Sequence, residues 1–190
     1  MGAAVGARLV EHGVEVWTVL AGRSPASAAR AEAAGMLGVD ARQIGAADVV
    51  LSIVPPGEAV ALARSLSPVM RETARKPIYA DCNAVSPQTV AAIAAEVGAA
   101  GARFVDAGII GGPPKPGTPG PLIYTSGPHA PALGMLAQHG LRISDRLPHR
   151  TRPASRNPTL TGRRFPRALC NPKTADSEPR RRSSLSSRMV

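Results

Sequence analysis

Residues 46–54 read AADVVLSIV, an almost unbroken apolar run that Pro55-Pro56 stops. A strand wetted on one face alternates apolar with polar side chains, so a continuous run requires burial on both faces. A parallel sheet covered by helices on both sides supplies that burial. The neighbouring segments agree. Residues 14–20 (VEVWTVL), 77–82 (PIYADC) and 103–107 (RFVDA) read as further strands, and 122–125 (LIYT) as an additional one. Between them, residues 3–11, 25–35, 57–66 and 87–100 carry the alanines and spaced aliphatics of helices, and 130–139 reads as a last helix. Strands alternating with helices of this length predict an α/β fold built on a doubly wound parallel sheet.

The pattern stops at Gly140. Residues 1–140 hold ten Lys/Arg against ten Asp/Glu, whereas residues 141–190 hold thirteen against three, which is the whole formal charge of +10. Alanine falls from thirty residues to three across the same boundary. Beyond it, Pro recurs every few residues among scattered Arg and Ser, with no sustained period of a helix or a strand. Such a segment cannot bury enough apolar surface to offset an ordering entropy of about 1–2 kcal/mol per residue. The expected organisation is therefore a domain over 1–140 and a disordered basic tail over 141–190.

Cys82 and Cys170 match no metal or redox spacing, so a reduced, cytoplasmic setting is expected. Glu11 and Glu15 interrupt the N-terminal apolar residues, so no secretory signal is expected there. The run at 49–56 is too short to span a bilayer. His129 and His139 lack companion carboxylates or cysteines, so no metal site is expected.

In an open α/β sheet, ligands bind at the carboxyl ends of the strands. The unusual residues stand there: Gly22-Arg23-Ser24, then Val54-Pro55-Pro56, then DCNAVSP at 81–87, then DAGIIGGPP at 106–114. Together with the opening MGAAVGARLVEHGVEVWTVLAGRS, these segments resemble the β-hydroxyacid dehydrogenase family, relatives of 3-hydroxyisobutyrate and 6-phosphogluconate dehydrogenases. The likeness covers residues 1–140. Family members begin with a strand and a G-x-G-x-M-G loop. Met1-Gly2 corresponds to the end of that loop, so the resemblance implies a Rossmann-like sheet lacking its first strand.

The resemblance implies a cofactor site at Gly2, Arg23, Ser24, Val54, Pro55, Pro56 and Asn83. Gly2 at a helix start suits the close approach of a pyrophosphate to backbone N–H groups. An NAD enzyme presents an acid after the next strand, where this chain has Arg23-Ser24; that pair suits a 2′-phosphate, so NADP is expected over NAD. An ordinary helix start and a solvated turn arginine remain open as plainer readings. Asn83 can both donate and accept, which serves a ligand hydroxyl or its own turn equally. Asn83, Gly111 and Gly112 form the implied substrate site for a small hydroxy acid, with Ile110 where the family usually has Ser. Asp106 is expected to order its loop rather than to act as a base.

No catalytic residue is assigned. The family's lysine acts from a long helix after the nucleotide domain, and neither Lys115, in a Pro-Gly loop, nor Lys173, in the tail, matches it. The helical domain that forms the family's dimer has no counterpart either. The implied function is an NADP-dependent oxidoreductase passing hydride between nicotinamide and a hydroxy acid, represented by its cofactor domain without activity. An alternative is a non-catalytic nucleotide-binding module whose basic tail engages nucleic acid or another polyanion. The tail's single aromatic, Phe165, and its one basic cluster, Arg180-Arg181-Arg182, disfavour that partner. A third reading is a tail translated in a shifted frame. A sheet lacking its first strand should also expose two strand edges and leave the chain aggregation-prone.

Overall fold

The computed structural model describes residues 1–145 and the backbone of Arg188–Met189. The expectations of disorder, polyanion binding and frame shift for the tail concern residues that, from 146 to 187, lie outside the described residues.

Helix α1 (Gly2–Glu11) buries Val5 and Leu9, four residues apart on one face. It is followed by β1 (Glu15–Thr18), α2 (Pro25–Ala33), a two-residue β2 (Leu37–Gly38) and the single turn α3 (Ala41–Ile44). Next come β3 (Val49–Ser52), a 3-10 turn (Pro56–Glu58), α4 (Ala59–Glu72), β4 (Ile78–Asp81) and α5 (Pro87–Ala99). The described domain ends with β5 (Arg103–Ile110), β6 (Leu122–Ser126), a 3-10 helix (Ala130–His139) and β7 (Arg142–Ser144); β8 is Arg188–Met189. The sheet order is β2-β1-β8-β3-β4-β5-β6-β7.

The pairs from β2 through β5 are parallel, as the apolar runs require. Consecutive side chains alternate between two cores. Val49 and Ile78 join Val5 and Leu9 of α1 and Leu133 and Leu136 of the second 3-10 helix. Val50 and Tyr79 join Ala63, Leu66 and Met70 of α4 and Ile93 and Val97 of α5. The sheet is thus covered on both faces, in the doubly wound α/β arrangement.

Four expectations change. First, β6 pairs antiparallel to β5, with Gly108 opposite Tyr124, so the sheet is not parallel throughout; a loop of residues 111–121 reverses the chain without a helical crossover. Second, order continues past Gly140. That residue caps the 3-10 helix at φ +79°, and β7 then pairs with β6, placing residues 142–144 in the sheet rather than in a disordered tail. Third, α4 runs through Pro68 to Glu72. Pro68 lies on the exposed face, while Leu66, Ser67 and Met70 remain buried and hold the helix beyond it. Fourth, the place between β1 and β3, expected to be empty, holds β8, with Val16 and Val49 both opposite Met189.

Helix α5 shows how local signals and packing agree. Ser86 Oγ accepts from Thr89 N at 3.2 Å, Pro87 takes the first helical position, and Ile93 is completely buried. Ser86→Ala should cost about 1 kcal/mol and Ile93→Ala about 2–5 kcal/mol. Urea unfolding followed by far-ultraviolet circular dichroism measures both, and equal effects would contradict this ranking.

Candidate functional site

A cavity of about 600 Å³ lies where α1 begins and where β1 and β3 end. Gly2, Thr18, Arg23, Arg30, Val54 and Pro113 are among its lining residues. Its floor is apolar, from Val5, Leu9, Val16 and Val50. Among the described residues, two arginines and no acidic residue line it.

The start of α1 is an open donor surface. Ala4 N and Val5 N return to the Met1 carbonyl at 3.0 and 3.1 Å, and among the described residues no side chain caps the helix start. The Gly2 and Ala3 N–H groups therefore lie without intrahelical acceptors at the positive end of the helix dipole. A Cβ on Gly2 would stand 3.7 Å from the Ile53 carbonyl oxygen, so a side chain there would begin to fill the strip between helix and β3 loop. Glycine keeps that strip open.

Arg23 Nε donates to the Val19 carbonyl at 3.2 Å, which fixes the arm. Arg30, one helical face further on, donates from Nη2 to Ser27 Oγ at 2.9 Å. Ser24 does a different job from the one expected of it. Its Oγ accepts from Ser27 N at 3.3 Å and donates to Ser27 Oγ at 3.1 Å, capping α2, and it is Ser27 that lines the cavity. Arg30 and Ser27 were not legible as site residues, since a polar residue inside a helix reads as solvated surface.

Val54 reaches the cavity, whereas Pro55, Pro56, Asn83, Gly111 and Gly112 are not among its lining residues. Pro55 and Pro56 turn the chain into the 3-10 turn. Asn83 is 8% exposed and its amide is spent on the fold. Its Oδ1 accepts from Val54 N at 2.8 Å; its Nδ2 donates to Ser52 Oγ at 2.9 Å and to Asp81 Oδ1 at 2.5 Å. One side chain therefore fastens the end of β3 to the end of β4. Gly111 adopts φ +124°, a conformation that favours glycine, and a Cβ there would come within 3.3 Å of Pro121 Cα. Gly112 meets nothing within 4 Å.

Asp81 is fully buried, and its Oδ2 has no hydrogen-bond partner. Burial raises its pKa above the ordinary 3.8, hydrogen bonding from Asn83 opposes the rise, and the charge of Asp106 adds to it. Asp106 stands opposite Asp81 in the sheet and accepts from Ser126 Oγ at 3.1 Å, tying β5 to β6 as a structural group. Burial, with Asp81 and Asp106 nearby, pushes the Cys82 thiol up to about 12. Among the described residues no group of three or more His, Cys, Asp or Glu could hold a metal ion, and no helix is long and apolar enough to cross a membrane. His129 and His139 flank and close the 3-10 helix.

The family profile for the NAD-binding domain of 6-phosphogluconate dehydrogenase matches residues 1–137. The chain belongs to that family. A conserved protein of unknown function, described as structurally similar to 3-hydroxyacid dehydrogenases, is 34% identical with a TM-score of 0.64, over 74% of this chain and 52% of that one. The 3-hydroxyisobutyrate dehydrogenase of Mycobacterium tuberculosis, solved with L-serine, is 22% identical with a TM-score of 0.62, over 76% and 50%. An imine reductase of Streptomyces aurantiacus is 22% identical with a TM-score of 0.58, over 75% and 51%; these last two share the fold. No curated protein matches the chain significantly. The chain thus spans about half the length of these solved structures. It carries an NAD(P)-binding Rossmann domain of the dehydrogenase and reductase type.

Two outcomes test this NAD(P)-binding domain's polar end. Because the folded state holds the Asp81 proton more tightly than the unfolded state, stability should fall as pH rises from about 4 through the raised pKa, and stay lowered above it. Asp81→Asn should flatten that fall, with the variant gaining on the parent as pH increases; melting temperatures from pH 4 to 8 measure this. Cys82 should resist iodoacetamide at pH 8 in the folded chain and react in urea, read by peptide mass spectrometry.

Proposed function

We propose that this domain binds a dinucleotide at the α1 end of the cavity, preferring NADP to NAD. The observation that carries the reading is that Arg23 and Arg30 both line the cavity, with no carboxylate among the described lining residues. An acid at this place would accept from a ribose hydroxyl and repel a phosphate, whereas two guanidiniums attract one. The N–H groups of Gly2 and Ala3 offer the pyrophosphate hydrogen bonds without a competing side chain. When bound, the nicotinamide supplies a hydride acceptor or donor, and the protein's task is to orient it.

The chain's own residues divide that task. Arg23 and Arg30 hold the anionic end, and Val54 presents an apolar edge at the end of β3. Asn83 keeps Val54 in place by accepting from its N–H. The substrate class we propose is a small hydroxy acid, whose carboxylate would meet the backbone at Gly111 and Gly112 beyond β5. For this polypeptide alone we expect binding without turnover. Among the described residues, Lys76 is committed to the Met70 and Arg71 carbonyls, at 2.8 and 2.7 Å. Lys115 lies in the loop held against α1, and neither lysine lines the cavity.

Fluorescence titration with NADPH and NADH at low salt tests the reading. Arg23→Ala and Arg30→Ala should each weaken NADPH about tenfold, equivalent to about 1.4 kcal/mol, and leave NADH nearly unchanged. Equal affinity of the parent for both dinucleotides, or equal losses for both in the variants, would reject the NADP preference.

A further inference from the structure

The loop of residues 111–121 (GGPPKPGTPGP) crosses from β5 to β6 with no helix or strand of its own. Its five prolines each fix a backbone angle. Between them a turn closes on itself. Thr118 N and Thr118 Oγ1 donate to the Lys115 carbonyl at 3.1 and 2.9 Å, and Lys115 N donates to Thr118 Oγ1 at 3.2 Å. The two limbs also meet, since a Cβ on Gly120 would stand 3.3 Å from Pro114 Cβ. The loop is therefore a stiff piece whose place in the domain depends on what holds it from outside.

Arg8 of α1 holds it. Arg8 Nη2 donates to the Lys115 and Thr118 carbonyls, at 2.8 and 3.0 Å, and its two hydrogens suffice for one bond to each. Arg8 Nε faces Glu11 Oε2 at 3.5 Å on the same helix. From β7, Arg142 Nη1 reaches the Gly120 carbonyl at 3.4 Å. Pro113, between the two glycines and the turn, lines the cavity, whereas Arg8 is not among the described lining residues. We propose that Arg8 is a positioning residue for the dinucleotide: it fixes the Lys115–Thr118 turn against α1, sets Pro113 as a wall of the cavity, and acts on the ligand only through that wall. The inference rests on the dinucleotide reading of the cavity.

A loose loop must be ordered at the moment of binding, and that cost is subtracted from affinity; a wall ordered beforehand avoids it. Two consequences separate this role from attraction by charge. Losing Arg8 and losing the Pro113 ring remove the same wall, so their effects cannot add. Attraction by charge is screened by salt, whereas a loss of order is not. The Glu11 carboxylate beside Arg8 agrees with the positional role, because it offsets the pull of the guanidinium on a distant phosphate.

Titration of the full chain with NADPH, followed by fluorescence, tests this through a double-substitution cycle. Arg8→Ala and Pro113→Gly should each weaken NADPH about fivefold, and the double variant should bind no more weakly than either single one. The ratio of parent to Arg8→Ala affinity should stay constant as salt is raised. Without ligand, the Lys115 and Thr118 amides should exchange with deuterium about tenfold faster in Arg8→Ala, with α5 unchanged. Additive losses, a ratio that collapses in salt, unchanged loop exchange, or unchanged affinity in a folded Arg8→Ala would each overturn the proposal. Failure of the parent to bind NADPH or NADH is a separate result: it rejects the dinucleotide reading, and this inference with it. Should Arg8→Ala fail to fold, Arg8→Gln, which keeps part of the stem but falls short of the carbonyls, takes its place in the cycle. Unchanged affinity in Pro113→Gly overturns the proposal alone.

Discussion

Burial of β3 and β4 on both faces constrains everything else in this domain. All four residues of β4 are buried, with Ile78 and Ala80 in one core and Tyr79 in the other. A strand so enclosed has no face on which to carry charge, and its polar groups must gather at an end. They do so at Ser52, Asp81 and Asn83, where the strands leave the sheet and helices begin. The Asn83 amide then satisfies three groups with one side chain, and the loops after β3 and β4 become a single rigid ledge. The groove follows from the same enclosure, since the carboxyl ends of parallel strands all point to one edge.

Charge is partitioned along that edge. The arginines occupy the side served by β1 and α2, and the acids Asp81 and Asp106 occupy neighbouring positions in β4 and β5. Asp81 is fully buried, and both acids are fastened by amide or hydroxyl donors, whereas the basic side opens onto the cavity. Burial raises the Asp81 pKa above its ordinary value.

The long elements were legible because their periods repeat. The runs at 46–54 and 77–82 announce buried strands, and the alanine-rich stretches announce the helices that cover them. The two residues of β2 and the four of α3 are too short to establish a period, and β7 lies where composition has already shifted. Strand direction is not written in a hydrophobic pattern, so nothing in LIYT distinguishes an antiparallel β6 from a parallel one. At the site, Gly2, Arg23 and Val54 could be placed because they follow strand ends or begin a helix. Ser24 resembled a ligand contact because N-capping and phosphate binding favour the same residue types. Arg30 was hidden by its place inside a helix, and only the three-dimensional turn of α2 brings it to the cavity that Arg23 also lines.

Arg8 joins two parts that the sheet keeps separate. Its side chain is 11% exposed, and Nη2 donates to the carbonyls of Lys115 and Thr118 at 2.8 and 3.0 Å. The loop of residues 111–121, which begins with Gly111 and Gly112, is thereby moored to the same helix whose first turn borders the cavity. Hydrogen bonds from a charged donor contribute about 1.5–3 kcal/mol each. A displacement of α1 must then drag the glycine loop along or tear both moorings, so helix and loop respond to load as one lever.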